Sequence, residues 1–424
     1  MKPNTQVFDI IIAGGGLVGM LAALSLSQLK KSNGGQLRLA IVEAGLNPTD
    51  NAIATQNQLS AFDARVLALS HASMRFLKSL SLWDELKFLV APINQIHISD
   101  RGHYGKARID AESLQVSALG YVIEMASLAR ALHTALENQQ NITWFCPDTI
   151  EAISWQSDKV SVALVSQQTL QANLLIASDG AQSVCRQFAK IESTTKNYNQ
   201  SAIIANVTMN RPHANRAFER FTESGPIALL PLLDTEQANS SEHGIASGKA
   251  HPHRCSLVWT LTPAIAKQIS ELTDDEFASA FEQAFGCWLG PVNKVGKRSL
   301  FPLKLVQAKQ QVHHRMVLVG NASHTLHPIA GQGFNLGLRD VEQLSQFIQQ
   351  RLANQQCYAS LGQLSEYQAQ RKSDHQQVIT LTDSLVTLFS NQLPPLVVGR
   401  NMSLKVLNYL TPLKAAFADK TMGY

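Results

Sequence analysis

Charge is scarce in this chain. Only 16% of its 424 residues are Asp, Glu, Lys or Arg, against roughly 25% in an average soluble domain. The deficit leaves room for an apolar ligand site, a membrane-facing patch or a partner surface. The formal net charge is +4 and no arginine-rich block occurs, so nucleic-acid binding gets no support. No run of 18 uncharged apolar residues is present, which argues against a spanning helix. The first apolar run, from Phe8, is interrupted by glycines and reads as a strand, not a secretory leader. Five cysteines (Cys146, Cys185, Cys255, Cys287, Cys357) are scattered without a C-x-x-C pair. Neither a disulfide frame nor a zinc site is expected from them. The histidines, His251, His253, His313 and His314 among them, lack acidic or cysteine partners at ligand spacing, so no metal is expected. The expected location is the cytoplasm, with room for peripheral contact at the inner membrane.

What is present is 45% hydrophobic residues, enough for a large core in two domains or one interleaved unit. Phe8–Ala13 reads as a buried strand, Leu17–Leu29 as a buried helix and Leu37–Val42 as a second strand, together a βαβ unit. Phe62–Leu80 reads as a loop that becomes a helix. Ile150–Leu164 reads as a hairpin and Leu174–Ser178 as another buried strand. From about 190 to 305 the pattern alternates, at Ile203–Met209, Pro226–Leu232 and Arg254–Leu261, as antiparallel strands do. Thr235–His253 reads as a polar hairpin loop. The expected fold is α/β. Residues 1–90, 110–185 and 300–350 build a discontinuous Rossmann-like domain. Residues 91–109 and 190–300 build an inserted antiparallel sheet, and 351–424 a helical C-terminal region.

Three segments carry the chemistry. Gly14, Gly16 and Gly19 fill a G-x-G-x-x-G pattern between strand and helix. The first glycine permits the turn, the second lets backbone approach a pyrophosphate, and the third packs helix on strand. Glu43, 24 residues past Gly19, ends the second strand where ribose hydroxyls would need an acceptor. The second segment, Ala177 to Arg186, ends a strand at Asp179-Gly180; its plainer reading is a helix start capped by Asp179 or Ser183. The third runs from Gly320-Asn321 through Pro328, Gly331, Gly333, Phe334 and Asn335 to Asp340. It ends the strand Met316–Val319 and opens a helix whose N-terminus would stabilise a reduced flavin.

In this order and at these distances, the three segments resemble the flavoprotein aromatic hydroxylases of the para-hydroxybenzoate hydroxylase type, over nearly the whole chain. The resemblance implies a glutathione-reductase-type FAD domain beneath a substrate-binding sheet. It puts the fingerprint and Glu43 on the adenine half of FAD and Asp179 between the FAD and nicotinamide clefts. Gly320-Asn321 would meet the ribityl chain, and Pro328 with Gly331–Asn335 the isoalloxazine. Asn321 stands where the family usually has Asp; it keeps an acceptor oxygen and loses the charge. The stretch Phe62–Ser70 is similar to that of the ubiquinone-biosynthesis hydroxylases and implies Arg65 near the flavin and its phosphates. Arg130 is a weaker phosphate contact. His97–Gly105 and Ala330–Asp340 are most similar to the member acting on a 2-polyprenyl-6-methoxyphenol, and Phe301-Pro302-Leu303 to the segment bordering the substrate pocket.

The implied reaction uses NAD(P)H to reduce FAD, and O2 to form a flavin C4a-hydroperoxide that hydroxylates the phenol. The alternatives are a sister hydroxylase acting at another ring position and a non-catalytic FAD-binding scaffold of a biosynthetic complex. No catalytic residue is assigned; His97, His324 and His327 are the candidate bases. Leu396–Phe417 is apolar with Arg400, Lys405 and Lys414 interspersed. It reads either as a basic amphipathic face toward anionic lipid or a partner enzyme, or as helices packed on the core.

Overall fold

The computed structural model describes residues 5–45, 62, 64–233, 253–389 and 394–423. The expected loop at 235–253 lies outside these, His253 apart, as does Asp63. Four short runs, Ile10–Ala13, Leu39–Val42, Leu174–Ala177 and Met316–Leu318, are buried at every position. Strands covered on both faces need no polar side. They pair in parallel in the order Met316–Leu318, Leu174–Ala177, Ile10–Ala13, Leu39–Val42, followed by Ile142–Phe145. The helix Leu17–Ser27 is apolar all round because it is enclosed by this sheet and by the helices Met125–Glu137 and Gln332–Ala353. Ser25 and Ser345, 2.8 Å apart between their hydroxyls, join it to the last of these.

A larger sheet of nine strands lies beside this layer. Its backbone is the 17-residue strand Ser193–Met209, flanked by Arg254–Leu261 and Ser299–Ala308. It continues through Gly225–Pro231, Arg216–Thr222 and Gln95–Asp100 to Lys106–Asp110. Two details differ from the sequence reading. The pair Arg216–Thr222 with Gln95–Asp100 is parallel, not antiparallel, because the chain leaves the sheet after residue 110 and comes back from the far side. The strand Ser299–Ala308 belongs to this sheet, so the expected boundary at 300 falls inside a strand.

A third difference concerns residues 62–80. Val66–Ser70 is a strand, paired with Gly120–Glu124, and only then does the helix His71–Ser79 begin. The short apolar run could have been either; the neighbouring strand supplies the backbone partners that decide it. Ser70 caps the helix, accepting from the Ser73 amide at 3.2 Å.

The C-terminal region is helical: Leu361–Phe389, Pro394–Tyr409 and Thr411–Met422. Among the described residues no helix is long and apolar enough to cross a membrane. Arg400, read from sequence as an interspersed surface cation, is buried. Its Nε donates to Asp100 Oδ2 at 2.8 Å and its Nη2 to Oδ1 at 3.2 Å. Asn401 adds a bond to the same carboxylate at 3.0 Å and accepts from the Gly105 amide at 2.7 Å. This clamp seats the helix Pro394–Tyr409 on the Gln95–Asp110 hairpin. Asp100→Asn would leave a buried guanidinium without its counter-charge. The expected cost is about 3–5 kcal/mol, read as a lower Tm and as faster proteolytic loss of the C-terminal helices.

Candidate active site

The three glycine segments leave the carboxyl ends of adjacent parallel strands, the edge at which such sheets bind ligands. Their backbones touch. Ser178 donates its amide to Ala13 O at 2.8 Å, and its hydroxyl lies 2.9 Å from Ala13 O and 3.0 Å from Gly14 O. Val319 N donates to Ala177 O at 2.9 Å. A Cβ on Gly14 would sit 2.6 Å from Ser178 O, and one on Gly19 only 1.9 Å from Gly14 O. A Cβ on Gly337 would meet Gly320 Cα at 3.2 Å, and one on Gly320 the Val18 side chain at 3.2 Å. The two ends of the sequence therefore meet in one groove.

Gly16 differs from these. Among the described residues, its chain neighbours apart, no atom lies within 4 Å of its missing Cβ, and it begins the helix Leu17–Ser27 without a side-chain cap. An open side at a bare helix N-terminus is suited to a diphosphate. Glu43 stands beside it, its Oε2 accepting from Gly15 N at 2.6 Å and its Oε1 from Gly45 N at 2.8 Å. Each oxygen keeps a second lone pair that could receive a ribose hydroxyl. The residues present thus fit a dinucleotide such as FAD.

The remaining sequence candidates fall into distinct places. Ser183 caps the helix Val184–Phe188, accepting from Arg186 N at 2.9 Å, and Asp179 accepts from Cys185 N at 3.0 Å while its buried Oδ1 finds no hydrogen-bond partner among the described residues. Asn321 is exposed at the rim, next to buried Gly320. Arg65 is exposed and borders the cavity described below. Arg130 is exposed on the helix Met125–Glu137 and does not line that cavity. Pro328, Gly331, Gly333 and Phe334 do line it. Gly331 has φ +60°, and a Cβ there would strike Ala68 at 2.9 Å.

Asn335 lines the cavity too, and its side chain is bonded within the protein. Its Oδ1 accepts from Ser70 N at 2.8 Å and Ser73 Oγ at 2.7 Å, and its Nδ2 donates to Ala68 O at 2.9 Å and Gly331 O at 2.8 Å. All of the side-chain amide's usual bonds are made within the protein, so it holds the loop in place.

Other residues support the site without having been read from sequence. Arg186 ties the second segment to the third, its Nη1 donating to Ala322 O and its Nη2 to Ala181 O, both at 2.8 Å. Asp340, fully buried, receives Arg371 Nε at 2.9 Å, lies 2.6 Å from His375 Nε2 and faces Gly320 N at 3.4 Å. Burial alone would raise its carboxyl, but His375, His324 and Arg371 outweigh it and hold it well below the ordinary carboxylate range. His324, Asp340 and His375 have the proximity of a metal triad. The Arg371 guanidinium on the same carboxylate instead makes the cluster an ion-paired brace under the 320–325 turn.

From the third segment a cavity of about 1050 Å³ runs beneath the large sheet to the C-terminal helices. Phe301 lines it, as expected for its segment. Of the three candidate bases, only His327 lines it. Burial pushes the His327 imidazole down to about 4. His97 lies instead against Trp288, at 4.5 Å between ring centroids, and Phe218, at 5.8 Å. His324 is behind the loop, with Nδ1 3.7 Å from Asp340.

Residues 7–382 match the FAD binding domain family model. The chain is 33% identical over 426 residues to the ubiquinone hydroxylase UbiL of Rhodospirillum rubrum, covering 99% of this chain and 90% of that protein. It is 31% identical to the 3-demethoxyubiquinol 3-hydroxylase of Escherichia coli, over 99% of this chain and 100% of that one. The chain belongs to the FAD-dependent hydroxylases of ubiquinone biosynthesis. It is a flavin monooxygenase. Its fold is shared with p-nitrophenol 4-monooxygenase PnpA of Pseudomonas putida, at a TM-score of 0.75 and 16% identity over 99% of this chain and 98% of that one.

Two glycine variants separate folding from cofactor retention in this monooxygenase. Gly16→Ala meets no protein atom, so the apoprotein Tm should hold while FAD content of the purified protein falls at least ten-fold. Gly19→Ala drives a methyl into the Gly14 carbonyl and should lower the apoprotein Tm as well. Equal FAD content in wild type and Gly16→Ala would remove the diphosphate from this helix.

Proposed function

We propose that this monooxygenase hydroxylates a 2-polyprenyl-6-methoxyphenol, with FAD extended from Glu43 across Gly14–Gly19 to the 320–335 loop. The observation that carries the substrate class is the cavity. Its 1050 Å³ lies just above the roughly 300–1,000 Å³ of small-molecule sites and would take the flavin ring as well as the substrate. Ile93, Ile98, Leu230, Leu385 and Leu388 wall it between the 328–335 loop and the C-terminal helices. A phenol with a long apolar tail fills such a space; a small polar acid does not.

Bound FAD supplies two-electron reduction by NAD(P)H and the activation of O2 for transfer of one oxygen to an aromatic ring. The chain's own part is placement and exclusion. Pro328, Gly331 and Phe334 line the cavity and would hold the ring system, and Asn335 locks that loop to the strand Val66–Ser70. The apolar wall keeps water from the reacting oxygen and holds the substrate ring at a fixed distance. Arg65, exposed at the cavity, would meet a phosphate or the nicotinamide cofactor. The 31% identity to a 3-demethoxyubiquinol 3-hydroxylase favours one second reading, hydroxylation at another ring position. The test is anaerobic reduction of the purified yellow protein by NAD(P)H, with and without a short-tailed methoxyphenol, followed by O2. The expected result is one oxygen inserted per NAD(P)H, with NMR of the product giving the ring position. O2 consumed as peroxide alone would overturn the reading.

We infer too that the C-terminal helices meet the inner membrane. Val398, Met402, Val406 and Tyr409 are exposed at helical spacing, at 55%, 57%, 42% and 73%. Met402 and Val406 also line the cavity, so its mouth opens on this face. Lys405, Lys414 and Lys420 accompany it and suit anionic lipid; a partner enzyme of the same pathway is the competing occupant. Burying two such side chains contributes about 1.5–3 kcal/mol each. Met402→Asp with Val406→Asp should therefore weaken sedimentation with phosphatidylglycerol vesicles more than ten-fold, at unchanged FAD content.

A further inference from the structure

Hydroxylation of a phenol is helped by a group that takes its proton, because the phenolate ring is the stronger nucleophile. Neither His97 nor His324 lines the cavity, but Glu219 does. It sits in the middle of the strand Arg216–Thr222, on the face it shares with Ala217 and Phe221, while Phe218 turns into the opposite core layer. Its strand partners are Ile98 and Ala228, which also line the cavity. The side chain is half-buried by surface area because it borders the cavity, yet protein encloses it, and Oε1 has no hydrogen-bond partner among the described residues.

A carboxyl group among apolar neighbours, without an ion pair among the described residues, destabilises the fold. Gln or Val would fill the position at less cost. Such an uncompensated acid in a ligand cavity points to chemistry. Resting on the phenol reading above, we propose that Glu219 is the base that takes the phenolic proton of the substrate.

In the step, the phenolic O–H bond breaks and an O–H bond forms on the Glu219 carboxylate. No electrons change hands in it; NAD(P)H and O2 account for the oxidation. As the aromatic ring re-forms, the ring-carbon proton leaves to water, and Glu219 returns its proton to the product oxygen. Burial pushes the Glu219 carboxyl up to about 8, close to working pH and within about two units of a phenol at roughly 10, where proton transfer is efficient. Among the described residues the other charged or titratable groups on the cavity wall are Arg65, His327, Arg400 and Lys420. Arg400 is occupied by Asp100, which lies two residues from Ile98. Burial keeps His327 neutral, and Arg65 and Lys420 are exposed.

The test is single-turnover hydroxylation of a short-tailed methoxyphenol by the FAD-loaded enzyme from pH 6 to 10. The wild-type rate should rise through about pH 8 as the base ionises. Glu219→Gln should be slower by about 10²-fold or more at pH 7.5 and recover toward pH 10, where the phenol ionises unaided. Glu219→Asp should retain the wild-type rise at a lower rate. NAD(P)H reduction of FAD without substrate reports that each variant is folded and loaded. A Gln variant with the wild-type rate and profile, or an Asp variant with the Gln profile, overturns the assignment. A wild-type enzyme inert toward the phenol overturns the substrate reading itself, and this inference with it.

Discussion

At position 19 a methyl group would lie 1.9 Å from the Gly14 carbonyl oxygen. The first strand and its helix can approach only because nothing stands there, and the same holds where Gly337 passes over Gly320. These contacts bring backbone against backbone at the carboxyl edge of the parallel sheet. They align three strand ends, a helix N-terminus and the 320–335 turn in one groove. Side chains at either position would push the helices Leu17–Ser27 and Gln332–Ala353 off the sheet, and the groove would open.

Buried ion pairs hold the surroundings to this centre. Asp340 braces the 320–325 turn through Arg371 and His375, and both come from the helix Leu361–Phe389. Asp100 fixes the helix Pro394–Tyr409 through Arg400. Each carboxylate lies on an element of the nucleotide or sheet layer, and each arginine on a C-terminal helix. Such pairs add little net stability over apolar packing, but they specify where the helices sit. That placement closes the cavity.

Much of the nucleotide domain was legible because its signals are local. The strand before Gly14, the spacing to Glu43 and the apolar runs at Leu174–Ala177 and Met316–Leu318 each lie within a few residues, and each has one physical solution. The strand Val66–Ser70 was not legible, because its five residues suit strand or helix equally and Gly120–Glu124 decides between them. The anchoring of Asn335 was hidden for a related reason. Its side-chain amide is held by Ser70, Ser73 and Ala68, more than 260 residues earlier. Arg400 carried a surface signal, a cation every few residues, and nothing near it in sequence announced Asp100.

The sequence by itself determined the cofactor class and the family, because glycine spacing and strand-end chemistry are properties of adjacent residues. Tertiary structure alone decided which polar groups reach the cavity. His97, His324 and His327 look equivalent along the chain, and Glu219 looks like any acid on an alternating strand. Strand register and the pairing of Arg216–Thr222 with Gln95–Asp100 turn Glu219 inward among Ile98 and Ala228, while the same pleat turns His97 away. Side-chain direction in a sheet has a period of two, so a shift of one residue would have exchanged them.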